Sequence, residues 1–203
     1  MTDEITAKHL NRLRIRGAPK TIPGVKGLID KYEVEEIRKQ TVRALAVSLD
    51  PDFGPEQLRE AKKRLAQAAA SQGARPTEEA LIALHGDPTE RTPSEWTYHM
   101  VLPIRGPAKA DEEQGLFIER IHGGTYIETM TTKGLPDLRN LYTYFVGSFL
   151  PSRKQQLTLP LIYHRVVDGL DQDEPEKLTI QVFIPIQLSI KPPPKVVTRE
   201  HMA

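Results

Sequence analysis

Aromatic side chains recur at positions where the sequence predicts strands, and their types suit the binding of an apolar, ring-shaped molecule. A tyrosine ring stacks on a flat ligand while its hydroxyl stays hydrated or hydrogen-bonded. Against a cationic ligand each ring adds about 0.5–2 kcal/mol. We therefore expect a ligand site that draws on Trp96, Tyr98, Met100, Tyr126, Tyr142 and Tyr163. An ordinary core role is the alternative. A helical apolar stripe favours that role for Tyr142, whereas strand positions favour the site for Tyr126 and Tyr163.

Glu119 is the candidate carboxylate of such a site, because it precedes a predicted bend in its strand. A carboxylate buried near aromatic walls can pair with a cation or act as a base, and burial raises its pKa. A surface salt bridge is the alternative for Glu119 and for Glu128. His99, His122 and His164 show no helical metal-ligand spacing. We expect neither a metal site nor a cofactor.

Two segments of the sequence repeat each other with an offset of 82 residues. Residues 93–104 align with residues 175–186, and four aligned pairs are identical: Pro93 and Pro175, Thr97 and Thr179, Pro103 and Pro185, Ile104 and Ile186. Such self-similarity predicts that one supersecondary unit occurs twice.

Each copy is predicted to be a strand–helix–strand–strand unit. In copy one, Pro55 and Gly73 bracket a helix with apolar residues at helical spacing, and the strands are placed at 32–47, 80–85 and 96–104. In copy two the helix opens at Leu135 and ends at Pro151, and the strands are placed at 116–128, 159–167 and 177–188. The fold class is therefore α+β, with one antiparallel sheet, two main helices and pseudo-two-fold symmetry. The seam between the copies is expected to hold the cleft.

The chain divides into a basic leader at 1–31, a domain at 32–188 and a proline-rich tail at 189–203. Within the domain, copy one spans 32–104, a linker spans 105–114 and copy two spans 115–188. The 203 residues include no cysteine and carry a net charge of +1, and no signal pattern or membrane-spanning apolar run occurs. We expect a cytoplasmic protein with no membrane association. The leader is too short for a DNA-reading domain, so no direct DNA binding is expected.

Residues 119–126, Glu-Arg-Ile-His-Gly-Gly-Thr-Tyr, resemble the segment that opens the second half of GyrI-like small-molecule-binding domains. The endings Val-Leu-Pro-Ile at 101–104 and Phe-Ile-Pro-Ile at 183–186 are similar to the closing strands of that family. The resemblance covers 32–188. It implies the effector-binding module of some AraC-type and MerR-type regulators, with an aromatic cleft for planar, hydrophobic and often cationic compounds.

The resemblance leaves three functions open. The first is a stand-alone binder of hydrophobic aromatic molecules. The second is a hydrolase of cyclopropanoid or other strained genotoxic compounds, for which Glu119 is the candidate catalytic residue. The third is a protein-interaction module such as a gyrase modulator. Family members commonly carry a glutamate in the strand after the second helix, at the place of Tyr163 or, in the other possible register, of Leu161. Neither residue is acidic, and this difference favours binding over hydrolysis.

Overall fold

The computed structural model describes residues 13–14, 32–88 and 95–188 of the chain. The predicted tail at 189–203 lies outside these residues, as does the predicted leader apart from the backbone of Leu13–Arg14. Within the described residues, each helix is too short or too polar to cross a lipid bilayer.

The described residues form eleven strands: β1 (Leu13–Arg14), β2 (Glu35–Lys39), β3 (Val42–Leu49), β4 (Arg75–Pro76), β5 (Leu81–His85), β6 (Thr97–Arg105), β7 (Phe117–Ile121), β8 (Gly124–Thr131), β9 (Gln155–Leu157), β10 (Leu161–Asp168) and β11 (Thr179–Leu188). Nine of them follow one another in a single antiparallel sheet, in the order β1-β2-β8-β11-β10-β5-β6-β3-β7. The short β4 pairs with β6, and β9 pairs with β11. Because β5 and β10 are neighbours in the middle of this order, the seam between the copies is hydrogen-bonded.

Two helical segments follow β3 and β8. Helix α1 (Pro55–Ser71) begins at the predicted proline, and its buried residues recur at helical spacing. The second segment opens with a 3-10 turn at Leu135–Asp137, continues as α2 (Leu138–Tyr144), widens into a π-helix at Phe145–Phe149 and ends as α3 (Leu150–Ser152). The α+β class with two main helices is therefore confirmed.

The strand registers confirm the duplication. Ala44 pairs with Pro103 between β3 and β6, and adding 82 to both numbers gives Tyr126 and Pro185, which pair between β8 and β11. The same offset converts the Glu35–Glu128 pair of β2 and β8 into the Phe117–Ala46 pair of β7 and β3. The two copies are thus related by a pseudo-two-fold axis that passes between β5 and β10.

The first strand of each copy differs from the prediction. Residues 32–47 were expected to form one strand, but β2 and β3 are separate strands that join different neighbours. β2 pairs with β8 of copy two, and β7 pairs with β3 of copy one. The copies therefore exchange their first strands, and the predicted bend at Gly123 is one of the two exchange points.

The two faces of the sheet have separate apolar clusters. Side chains alternate along a strand, so Leu45 and Val47 of β3 pack on the helices while Ala44 and Ala46 face the other way. We call the first group, which includes the buried side chains of α1 and α2, the helix-side core. The second group is the sheet-face cluster: Ile37, Ala44, Ala46, Leu81, Ala83, Val101, Ile121, Tyr126, Leu161, Tyr163 and Phe183. It contains no helical residue.

The exchange point at Gly123 leaves no room for a side chain. A Cβ atom on Gly123 would lie 2.7 Å from the backbone nitrogen of Thr41 and 2.9 Å from its Oγ1. The Gly123 amide donates a hydrogen bond of 3.0 Å to the same hydroxyl. We expect Gly123→Ala to lower the free energy of unfolding by about 1–3 kcal/mol in urea denaturation, because the backbone must shift to relieve the overlap.

Gly147→Ala is the matched control for that variant. Gly147 lies in the helical segment, and no atom lies within 4 Å of a Cβ built there, so its stability should be unchanged or slightly increased. Equal stabilities for Gly123→Ala and the unaltered chain would show that the exchange point is loosely packed.

Candidate functional site

The predicted site residues divide between the two faces of the sheet. Trp96, Tyr98, Met100 and Tyr142 are buried in the helix-side core. Tyr126 and Tyr163 belong to the sheet-face cluster, and Glu119 lies with them, as its contacts below show. The expectation that Trp96, Tyr98 and Met100 share one face is confirmed, but that face is the one covered by the helices.

On the helix side, the aromatic residues pack edge to face. The Trp96 ring lies 5.8 Å from the Tyr142 ring and 6.4 Å from the Tyr98 ring, measured between centroids. The Tyr142 hydroxyl lies 2.6 Å from Nε2 of His164, and Nδ1 of His164 lies 3.1 Å from the carbonyl oxygen of Ile82. Because a carbonyl only accepts, Nδ1 carries the proton and the neutral Nε2 accepts from Tyr142. Burial is the main reason that the pKa of His164 is lowered to about 4.

On the helix-free face, Tyr126 and Tyr163 form the aromatic part of the site. Their ring centroids lie 6.3 Å apart, and each residue is at most 1% exposed. The Tyr126 hydroxyl donates a 2.6 Å hydrogen bond to the carbonyl of His122. The Tyr163 hydroxyl is buried and has no side-chain hydrogen-bond partner, and the backbone of His122 is the polar group beside it. Burial raises the pKa of Tyr126 to about 12 and raises that of Tyr163 still further.

Glu119 of β7 joins two histidines beside these rings. Its Oε2 lies 2.9 Å from Nδ1 of His99, and its Oε1 lies 3.0 Å from Nε2 of His85. Burial alone would raise the pKa of Glu119, but the polar contacts and charges of His85 and His99 outweigh burial and lower the pKa to about 2. Glu119 is therefore ionised at neutral pH. Phe117, on the same strand, packs its ring 4.8 Å from that of His99.

These contacts require the sheet to curl towards the helix-free face. β7 and β5 are three places apart in the strand order, which corresponds to about 14 Å in a flat sheet. Glu119 nevertheless touches His85. Near the other end of the sheet, Lys39 of β2 places its Nζ 4.0 Å from the ring centroid of Phe183 on β11. Side chains of both exchanged strands thus reach over the sheet-face cluster.

The two halves of this face carry different side chains at equivalent positions. Ala44 and Ala46 of copy one correspond, at the offset of 82, to Tyr126 and Glu128 of copy two. On this face, copy one therefore contributes small side chains at these positions, and copy two contributes larger ones, among them the Tyr126 ring. The seam brings the two together, because Ala83 pairs with Tyr163 across β5 and β10.

Two cationic side chains lie on the copy-two half. Lys39 and Arg165 both lie over the Phe183 ring, with the Arg165 guanidinium 5.5 Å from its centroid. The Lys39 ammonium also lies 3.9 Å from a carboxylate oxygen of Glu78, and Arg165 hydrogen-bonds the amide oxygen of Gln181, whose nitrogen donates to Glu128. The pKa of Lys39 is lowered, chiefly by burial. The Phe183 ring is therefore already covered by side-chain cations, whose charges nearby carboxylates offset.

Sequence reasoning missed His85 and Lys39. A hairpin register would have revealed His85, because it pairs with Thr97 and so lies diagonal to His99 on one face. The prediction of no metal site rests on the spacing of His99, His122 and His164. Of these, the structure buries His164 on the helix side and leaves His122 exposed on its surface.

Two surface cavities lie away from this cluster. A polar groove of about 470 Å³ runs between the end of α1 and residues 109–116. A smaller one of about 230 Å³ lies beside Tyr32, Met130 and Asp137. Neither is lined by the aromatic residues of the sheet-face cluster.

Comparison with known proteins gives one family match. The model of the GyrI-like small molecule binding domain matches residues 31–187. A search of curated proteins found no match.

Solved structures share the fold. A cryo-EM structure of an EcmrR–DNA complex has a TM-score of 0.63 and 14% identity, and the alignment covers 80% of this chain and 60% of that one. The EcmrR C-terminal domain has a TM-score of 0.61 and 14% identity, and the alignment covers 77% of this chain and 98% of that domain. A hydrolase from Listeria innocua has a TM-score of 0.51 and 13% identity, and the alignment covers 76% of this chain and 91% of the hydrolase. This chain thus spans less than two thirds of the EcmrR chain in the complex.

The buried His164 should make stability depend on pH. Its pKa is about 4 in the folded chain against an ordinary value of 6.5. The contribution of the neutral His164 side chain to the free energy of unfolding is therefore fully present above pH 6.5, and it is lost as the pH falls towards 4. We expect stability to fall by up to about 1.4 kcal/mol per pH unit from this group.

His164→Asn isolates that contribution, because other groups titrate equally in both proteins. The difference in free energy of unfolding between the unaltered chain and the variant, measured in urea, should shrink as the pH is lowered through this window. A difference that stays constant with pH would contradict a neutral, buried His164.

Proposed function

The chain belongs to the GyrI-like small molecule binding domain family, and on that basis we propose that it binds hydrophobic aromatic molecules, cationic ones included, at the helix-free face of its sheet. Small-molecule binding is the general property of the family. The ligand class and the position on the molecule are our proposal, and the juxtaposition of Tyr126, Tyr163 and the ionised Glu119 carries them.

The chemistry of the face supports an aromatic ligand. Tyr126 and Tyr163 offer ring surfaces beside the small side chains of Ala44 and Ala83. Flat apolar molecules gain both from leaving water and from stacking on such rings. The Tyr163 hydroxyl makes no hydrogen bond to another side chain, so it can offer one polar contact to a ligand, and a ligand that satisfies a buried polar group gains affinity.

The charge distribution supports a cationic group at one end of that ligand. Glu119 is ionised, and its pKa of about 2 keeps it so at every physiological pH. In the other half of the face, the Phe183 ring is already covered by Lys39 and Arg165, and nearby Glu78 and Glu128 offset their charges. The ligand's rings therefore belong beside Tyr126 and Tyr163, with its positive charge directed to Glu119 and away from Phe183.

Access to the face requires movement. Tyr126 and Tyr163 are almost fully buried, so a ligand reaches their rings only when the edge strand β7 or the tyrosine side chains shift. β7 is the last strand in the sheet order and pairs only with β3 among the described strands. Edge strands have fewer partners to break than central ones, which makes β7 the element most able to open.

Hydrolysis is the second candidate function, because a carboxylate and a tyrosine lie together at the face. A general base works best when its pKa is near the operating pH. A pKa of about 2 makes Glu119 a weak base. The geometry therefore supports binding over catalysis by Glu119.

Replacing a ring on the helix-free face should weaken binding. For Tyr163→Leu we expect the affinity for ethidium, followed by fluorescence, to fall about two- to thirtyfold, as the loss of one stacking or cation–π contact of about 0.5–2 kcal/mol implies. Trp96→Phe on the helix side is the matched control and should bind like the unaltered chain. The opposite pattern would place the ligand in the helix-side core.

Removing the negative charge of Glu119 should weaken the binding of a cationic dye more than that of a neutral dye. Glu119→Gln keeps the side-chain shape, so binding of the neutral dye Nile red should change by less than about twofold, whereas ethidium binding should fall about tenfold or more, equal to about 1.4 kcal/mol. Equal losses for both dyes would mean that Glu119 acts through structure alone. Equal retention of both would exclude it from the site.

A further inference from the structure

We propose that His85, His99 and Glu119 form a binding site for a divalent transition-metal ion such as Zn²⁺. The three side chains come from β5, β6 and β7, and each contributes one ligand atom within 4.8 Å of the other two. The proposal shares Glu119 with the proposed ligand site, so a bound metal ion would compete with the cationic group of an aromatic ligand, but its test measures metal binding and does not depend on that ligand.

The donor types select the class of ion. Two imidazole nitrogens with one carboxylate oxygen are a common ligand set for zinc and its first-row neighbours. Mg²⁺ and Ca²⁺ prefer oxygen ligands throughout. The set therefore favours Zn²⁺ and related ions over the alkaline-earth ions.

The distances fit a shared ion. Ligand atoms at 2.0–2.2 Å from a tetrahedral zinc ion lie about 3.3 Å from one another. The two observed separations from the carboxylate, 2.9 Å to Nδ1 of His99 and 3.0 Å to Nε2 of His85, are close to that value. A small rearrangement of side chains would bring all three into one coordination shell.

The two contacts of Glu119 are not equally well formed. Nδ1 of His99 hydrogen-bonds Oε2. Nε2 of His85 and Oε1 of Glu119 are buried and form an ion-pair contact of 3.0 Å, but this contact lacks the geometry of a hydrogen bond. An ion bound between these two atoms would coordinate both directly.

The duplication provides an internal comparison. At the offset of 82, the equivalents of His99 and Glu119 are Gln181 and Ile37. His85 pairs with Thr97, and a bulge in β10 places Asp168 opposite the equivalent Thr179. The pair of histidines with a glutamate is therefore present in one half of the sheet and absent from the other. Three protein ligands also leave a fourth position for water or for a donor atom of a bound molecule.

The test is metal titration of the full chain after treatment with EDTA. Isothermal titration with ZnCl₂ should give one site per chain, and Co²⁺ should give the visible absorption of a tetrahedral complex. MgCl₂ should give no binding at the same concentrations. Saturating Zn²⁺ should also raise the melting temperature, since an ion that binds only the folded state stabilises it.

Variants locate the ion. Glu119→Gln and His99→Gln should each weaken Zn²⁺ binding tenfold or more and abolish the rise in melting temperature, whereas the exposed His122→Gln should retain both. The melting temperatures measured in EDTA verify that the variants fold. Should a variant unfold, the Co²⁺ spectrum of His85→Gln replaces it. Zn²⁺ binding that survives in all three ligand variants, no binding by the unaltered chain, or loss in His122→Gln would each overturn the proposal.

Discussion

The exchange of first strands between the two copies is the constraint on which the rest of the molecule depends. β2 precedes copy one in the chain but pairs with β8 of copy two, and β7 does the reverse. Neither half can therefore complete its own sheet, and the backbones cross at Thr41 and Gly123 with no space for a Cβ atom. β7 ends the continuous sheet and β2 lies next to its other end, so side chains of both exchanged strands reach over the helix-free face and the sheet-face cluster.

The two copies share the backbone pairing that forms the sheet, but they differ in the side chains that they place on its helix-free face. Equivalent strands keep the same registers, yet the face carries Ala44 and Ala46 in one half where the other has Tyr126 and Glu128. The helix side contrasts with this face, since its tyrosines and Trp96 pack against one another and against the helices. A duplicated scaffold can keep its backbone pairing while one face specialises, because side chains on opposite faces of a strand are independent of each other.

The sequence predicted the scaffold better than the site. The order of elements was predictable from Pro55, from the helical spacing of apolar residues and from the 82-residue repeat. Each of these signals can be read from the sequence without knowledge of tertiary packing. The exchange of β2 and β7 carries no local signal, because strand partners are chosen by tertiary packing. The same limit explains the site. Alternation grouped Trp96 with Tyr98 correctly, but nothing in the pattern says which face the helices cover, and His85 meets Glu119 only because the sheet curls.

We propose that the ligand occupies the helix-free face, beside Tyr126 and Tyr163 and with its charge towards Glu119. The most direct measurement is a crystal structure of the chain with a bromine-labelled aryl ammonium cation, whose anomalous scattering locates the ligand without ambiguity. We predict a peak in contact with one or both tyrosine rings and the ammonium group on the Glu119 side. A peak among Trp96 and Tyr142, or in the groove at the end of α1, with the sheet-face cluster unchanged, would contradict it.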